Sequence, residues 1–317
     1  MTYAQNQLIQ STDYNTLVGG NPTTTINTLN ATWGTGGATA GYGQTAEANV
    51  AVGDTVAATK WANLVNKTSS AASHQGTTIT SVSAPVTGGN VTYLSAIPSN
   101  LITIYSNRGN AATQGSTTAN SIAYGSTWST ALTFTHTVTF ANGDAARYFF
   151  NSGGQLKLTC SHANSTAGIN LLFNNLASNV GTVVMSAPTT GAVTISGTSF
   201  NGITKIGGGG SAPTISTNSG YYAMTTSNAN VFTQIASTGP SGYLSTFIRV
   251  IAKSNGTQGA NGDTGSIVTL FTIWDEVPDG LTVGTGTTVT VTAQAPETTN
   301  LANSWGTISV AGSATGS

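Results

Sequence analysis

Charge is what this sequence has least of. Its 317 residues include eight Lys and Arg and nine Asp and Glu, 5% of the chain, where an average globular domain carries about a quarter. The net charge is −1, so no basic cluster exists to neutralise phosphates, and nucleic acid is not an expected partner. Cys160 is the sole cysteine, which excludes a disulfide within the chain. Its setting in the run Gln155–Ser161 reads as a small buried apolar strand residue rather than a nucleophile. No segment approaches the ~20 consecutive apolar residues that span a bilayer. Met1 to Gln7 has neither the basic start nor the apolar core of a secretory signal. No membrane partner is expected, and the expected place of synthesis is the cytoplasm.

Hydrophobic residues reach 38% and mean hydropathy is +0.04, which separates the chain from disordered sequences of low hydrophobicity and high net charge. Thr, Ser, Asn and Gly must therefore wet its surface. Such a surface offers little electrostatic repulsion between copies and suits a protein held in an assembly. Thirty-nine glycines and abundant threonine favour strands joined by tight turns.

Helical signals are confined mostly to the first hundred residues. Asp13 is placed to cap a short helix through Val18, ended by Gly19-Gly20. Pro22 and Thr23 to Thr25 open a second, with Ile26, Leu29 and Trp33 on one face. The clearest helix follows Asp54: Trp61, Leu64, Val65, Thr68 and Ala72 form a single stripe, between Gly53 and Gly76. Another starts near Pro98, with Leu101, Ile104, Tyr105 and Arg108 sharing a face. Thr77 to Thr92 lacks periodicity and reads as an extended arm. Asn110 to Asn120 has no core anchor and reads as a linker.

From Trp128 the period changes to two. Leu132, Phe134, His136, Val138 and Phe140 alternate with Thr and Ala141, the pattern of a half-buried strand. Shorter runs follow at Gln155–Ser161, Thr182–Ser186, Ala192–Ser196 and Val231–Ser237. Longer ones lie at Tyr243–Lys253, Ser266–Trp274, Thr287–Gln294 and Thr307–Val310. One helical stripe interrupts them, Ile169, Leu172, Phe173 and Leu176. The expected fold is mainly β: a partly helical, arm-bearing docking region over residues 1–125, then an antiparallel, jelly-roll-like β-sandwich over 126–317.

So few ionisable side chains make the search for catalysis short. His74, His136 and His162 show no HxH or HxxxH spacing, and none accompanies a nucleophile motif. Asp275, Glu276 and Asp279 cluster, but a Pro-Asp-Gly turn accounts for them better than a glycosidase pair does. Asn255 to Asp263 holds one carboxylate, too few for a tight calcium cage, and reads as a hairpin loop. Gly207 to Gly210 has no following Lys-Ser/Thr, so it is a connection and not a phosphate loop. Tyr221-Tyr222 is suited either to stacking on a sugar or to a core or subunit contact. No enzyme activity, cofactor or metal is expected.

The run Ala146-Arg147-Tyr148-Phe149-Phe150-Asn151-Ser152-Gly153-Gly154 resembles a motif of virion structural proteins of large tailed phages. Asp13-Tyr14-Asn15, Gly41-Tyr42-Gly43-Gln44, Trp61-Ala62-Asn63-Leu64 and His74-Gln75-Gly76 are similar to that group in the same order, so the likeness covers about the first half of the chain. It implies a particle component of the tail, neck or collar, or an attached fibre, assembled in the host cytoplasm. Its partners would be copies of itself, as a trimer, and other virion proteins. A receptor- or glycan-binding fibre module and a head decoration protein are the alternatives. The residues themselves read as a core strand and its turn. Phe149 and Phe150 then point to opposite faces, and Arg147 either stacks on a ring or pairs with Asp144. Arg147, Tyr148, Phe149, Phe150, Trp61 and Leu64 are the candidate structural and assembly residues.

Overall fold

The computed structural model describes residues 10–20, 25–37, 39–86, 96–187, 191–216 and 220–317. Four helices come first: α1 (Ser11–Val18), α2 (Leu29–Thr32), α3 (Ala58–Gln75) and α4 (Ala96–Ser106). Helix α3 buries the expected stripe, Trp61, Leu64, Val65, Thr68 and Ala72, and ends at Gly76, whose left-handed backbone (φ 66°) closes the last turn. Trp61 meets Tyr14 of α1 edge to face at 5.4 Å. Leu64 lies in the same core with Leu17, Leu29, Tyr42, Leu101 and Ile104.

Three expectations for this region need adjustment. Helix α1 starts at Ser11 with Gln10 as its N-cap residue, so Asp13 lies inside the first turn and is not the cap. The second helix is only the single turn of α2, and Ile26 is exposed; Pro22 to Thr24 lie outside the described residues. The arm does not project over its described part. Ile79, Val82 and Ala84 pack against the helical core, and Asn100 of α4 brackets Thr80 by accepting from its N–H (3.0 Å) and donating to its carbonyl (2.8 Å). Residues 87–92 of that segment are not described.

The remainder is mainly β, as the pattern implies. The strands are β1 (Gln114–Tyr124), β2 (Ala131–Thr139), β3 (Gln155–His162), β4 (Thr182–Met185), β5 (Val193–Ile195), β6 (Thr198–Phe200), β7 (Ile203–Ile206), β8 (Thr214–Ile215), β9 (Ala229–Ile235), β10 (Phe247–Ser254), β11 (Ile267–Asp275), β12 (Thr287–Pro296) and β13 (Ser309–Gly316). One sheet runs β1-β12-β3-β4-β7 and the other β13-β2-β11-β10-β9-β8; β5 and β6 form a separate hairpin. All pairings within these sheets are antiparallel. Inward residues of both sheets share one core, Leu132, Phe134, Leu156, Leu158, Val250, Leu270, Trp274, Val289 and Val291 among them, so the sheets pack as a sandwich. The β2–β11 register sets Leu132 opposite Trp274 and Val138 opposite Val268, which aligns two alternating strands on the same buried face.

Helix α6 (Gly168–Val180) follows the predicted stripe, with Ile169, Leu172, Phe173 and Leu176 all buried. Two elements differ from expectation. Asn110 to Asn120 is not a linker: Ala111 bridges to Ile195, and β1 begins at Gln114. Asn142 to Asn151 is not a turn and a strand. It is α5 (Gly143–Asn151), whose N-cap Asn142 accepts the Ala145 N–H with its side chain. Phe149 and Phe150 therefore do not face opposite ways. Both enter the sandwich core, at 5.0 Å from each other and edge to face.

Candidate functional site

Helix α5 has two unlike faces, and the chain meets itself across them. Its apolar face stacks Phe150 on Tyr221 at 4.2 Å and sets Phe149 5.2 Å from Phe140. Its polar face grips the loop Ala40–Gly43. Arg147 donates through Nη1 to the Ala40 carbonyl (2.9 Å), and through Nε and Nη2 to Asp144 (both 3.2 Å). Its guanidinium also lies 4.9 Å from the Tyr148 ring centre. Arg147 thus both pairs and stacks, and it is almost wholly buried. One turn on, Asn151 donates to the Gly41 carbonyl at 3.0 Å. Asp144 additionally accepts from the Gly262 N–H (3.2 Å), which ties in the loop before β11.

The half-buried Tyr148 covers Gly43, which has φ +67°; a Cβ there would lie 2.3 Å from the Tyr148 ring. Gly43→Ala combines a left-handed backbone with overpacking, and is expected to cost about 1–3 kcal/mol of stability. Thermal unfolding beside the parent chain checks this, and an unchanged midpoint would contradict the packing.

Two other stretches singled out in the sequence, Gly41–Gln44 and His74–Gly76, meet the Ala146–Gly154 run around this junction, whereas Tyr14 and Trp61 pack in the helical core. Tyr42 lies 5.2 Å from His74, edge to face, and accepts from Gln75 at 2.7 Å. His74 is fully buried, with Nδ1 3.0 Å from Glu297 and Nε2 3.2 Å from the Ser152 carbonyl. Burial pushes its pKa below the ordinary histidine value, against the pull of Glu297 and Ser152. The loop between β12 and β13 completes the clamp, since Gln44 and Ala302 exchange two hydrogen bonds (2.8 and 2.9 Å) and Leu301 sits in the helical core.

Beside this junction opens a cleft of about 340 Å³, within the size range of small-ligand sites, about 300–1,000 Å³. Three parts of the chain build it. Thr39 and the turn Ser106–Asn110 come from the helical layer, Asn151 and Tyr222 from the sandwich side, and Ala192 to Thr194 from the β5–β6 hairpin. Tyr222 donates to Asn151 Oδ1 at 2.6 Å. Of the tyrosine pair, Tyr221 is buried on Phe150 and only Tyr222 reaches the cleft. Sequence reasoning passed over Asn151 and Arg108 as site residues. The one available signal was Arg108 itself, a rare charge in the polar run Ser106–Asn110.

Elsewhere the candidate chemistry is spent on local structure. Glu276 is fully buried and accepts from the Gly280 and Leu281 N–H groups (3.3 and 3.1 Å), so it closes the Pro-Asp-Gly turn. Asp263 accepts from Ala260 N–H at 2.6 Å, and Asn255 from Ser266 and Ile267 (2.9 and 2.8 Å). Among the described residues no group of three His, Cys, Asp or Glu side chains is placed to hold a metal. His162 lies 2.9 Å from Thr287 Oγ1 and 3.2 Å from Asn170, bridging β3, β12 and α6. Cys160 is half-buried against the sandwich core rather than fully buried, and desolvation there still raises its thiol well above the ordinary range, which disfavours the thiolate. No family model matches the chain, and comparison with curated proteins and with solved structures yields no match.

Proposed function

We propose that the chain is a structural component of a tailed phage particle, tail-, neck- or fibre-associated, that works by assembling with copies of itself and docking on other virion proteins. The observation that carries the assembly part is one margin of the sandwich. There β1 ends one sheet and β13 ends the other; they run side by side, with no backbone hydrogen bond between them among the described residues. Neither strand contains a charged residue or a proline, the usual guards of an exposed edge. The single irregularity in the β1–β12 register lies at the start of β1, between Gln114 and Thr117. Ser116 to Ala119 and Ala311 to Ser313 are exposed along these strands. A second copy suits such an edge, because pairing adds main-chain hydrogen bonds and desolvates no charge.

The few charges add support, since many act within the chain. Glu47 binds Lys60 (3.1 Å) and Lys67 (2.8 Å), Asp144 binds Arg147, and Glu297 meets His74. The word phage rests on the resemblance of Ala146–Gly154 and its companions.

Light scattering on the purified chain tests the reading, with a trimer as the expected species. Thr118→Lys combined with Ser313→Lys is expected to shift it to monomer while leaving the unfolding midpoint within a few degrees, because both sites are exposed and like charges oppose pairing. A native chain that stays monomeric and fails to join phage particles would sink the proposal.

A further inference from the structure

The cleft beside α5 has an uneven supply of donors and acceptors, and Arg108 sets it. Among the described residues that line the cleft, Arg108 is the only charged one, and it takes part in none of the chain's described ion pairs. A guanidinium carries five N–H donors. Arg108 commits three of them: Nε to the Thr39 carbonyl (3.1 Å), Nη1 to the Tyr105 carbonyl (2.9 Å) and Nη2 to Thr39 Oγ1 (3.3 Å). One N–H remains on each terminal nitrogen, so the guanidinium keeps two donors for an anionic acceptor. The group is held in place, because it lies 4.4 Å from the Tyr105 ring centre and its own carbonyl accepts from Tyr42 Oη (2.9 Å).

Around that cation the walls suit hydroxyl groups. Asn107 uses one amide N–H on the Thr103 carbonyl, and Asn110 uses one on Asn107, so each keeps a second. Ser106 Oγ donates to the Ile102 carbonyl and retains acceptor capacity. Val193 and the Tyr222 ring give a small apolar wall.

We propose that this cleft binds a small polyhydroxylated carboxylate of the sugar-acid class, with its carboxylate on Arg108 and its hydroxyls on Asn107, Asn110 and Ser106. The assignment goes beyond the assembly reading and does not depend on it, since the cleft lies within one chain. Two sources share this chemistry, a free sugar acid and the acidic terminus of a surface glycan.

Ligand-observed NMR on the full chain, with glucuronate, N-acetylneuraminate, their methyl glycosides and glucose as probes, tests it. Saturable, weak binding of the acids is expected, with glucose at least about tenfold weaker. Methyl glycosides that bind as well as the free acids identify a glycan terminus, whereas binding of the free acids alone identifies a metabolite; either outcome supports the site. Arg108→Gln is expected to abolish acid binding. Because Arg108 also anchors Thr39, Thr194→Trp provides an independent variant: Thr194 is exposed at the cleft, and the indole is expected to block it with the fold unchanged by circular dichroism. Glucose binding as tightly as the acids, acid binding that survives both variants, or no binding of either acid well above millimolar concentration would each overturn the proposal.

Discussion

Arg147→Ala is expected to remove about 3–5 kcal/mol of folding stability, among the largest losses available from one side chain here. Arg147 is a buried charge, 1% exposed, whose partner Asp144 is 29% exposed. Truncation leaves the Ala40 carbonyl without its 2.9 Å donor and Asp144 without its two 3.2 Å contacts. Asp144 keeps the Gly262 N–H, but the Ala40 carbonyl then relies on whatever water the collapsed site admits, and an unsatisfied buried acceptor alone costs about 1–3 kcal/mol. The loss also uncouples two parts of the fold, because the Ala40–Gly43 loop belongs to the helical layer and α5 roots in the sandwich core. Equilibrium urea unfolding followed by tryptophan fluorescence measures it. Trp61 reports on the helical layer and Trp274 on the sandwich, so the variant is expected to split one transition into two. Asp144→Ala is expected to cost less, since Asp144 faces solvent in part. An Arg147→Ala loss below about 1 kcal/mol would show that the junction is not held by this residue.

The second large effect is a loss of stability on mild acidification. All three histidines are almost fully buried, and burial pushes the pKa of each below the ordinary 6.5. For His74 the pull of Glu297 opposes this shift, for His136 the Asn120 backbone, and for His162 Asn170. The unfolded chain therefore binds protons near pH 6.5 that the folded chain refuses, so stability falls as pH drops below that value. Each depressed group contributes up to about 1.4 kcal/mol per pH unit until its folded pKa is reached, so three together give up to about 4 kcal/mol per unit. Asp275 and Glu276 act in the opposite sense. Burial raises both, so the folded state takes up their protons first and gains stability as they titrate. Glu47 and Glu297 are lowered, Glu47 by Lys67 and Lys60 and Glu297 chiefly by His74, in each case against burial. Their contribution disappears only below the ordinary glutamate value of 4.5. Between pH 6.5 and about 5 the histidines act in the destabilising direction, and urea unfolding is expected to show a chain less stable at the lower end. Equal or greater stability there would mean that the histidines are charged in the folded state.

What the sequence determined by itself was whatever a single periodicity or a single cap specifies. The stripe from Trp61 to Ala72 allows only a helix, because those spacings bring apolar side chains together only at 3.6 residues per turn. The alternation from Leu132 to Phe140 allows only a strand, because period two puts Leu132, Phe134 and Val138 on one face, and all three are buried. Such patterns establish the mainly β fold and its helical start without any partner. They do not reach β1, whose Gln114–Tyr124 sequence is polar or small until Ile122 and Tyr124 and becomes a strand through its pairing with β12. They mislead at α5, where three consecutive aromatics read as extended. There the Asn142 cap and the need to bury both Phe149 and Phe150 on one side select a helix.

Tertiary structure alone decided the junction and the cleft. Ala40, His74, Arg147, Ser152 and Glu297 are spread over most of the chain, and nothing in their local sequences says that they meet. The same holds for Arg108, Asn151 and Tyr222, which line one space because a helix end, α5 and a loop are packed side by side. Local sequence selects the elements, whereas burial of a cation and a histidine beside unlike partners is a property of how the elements meet.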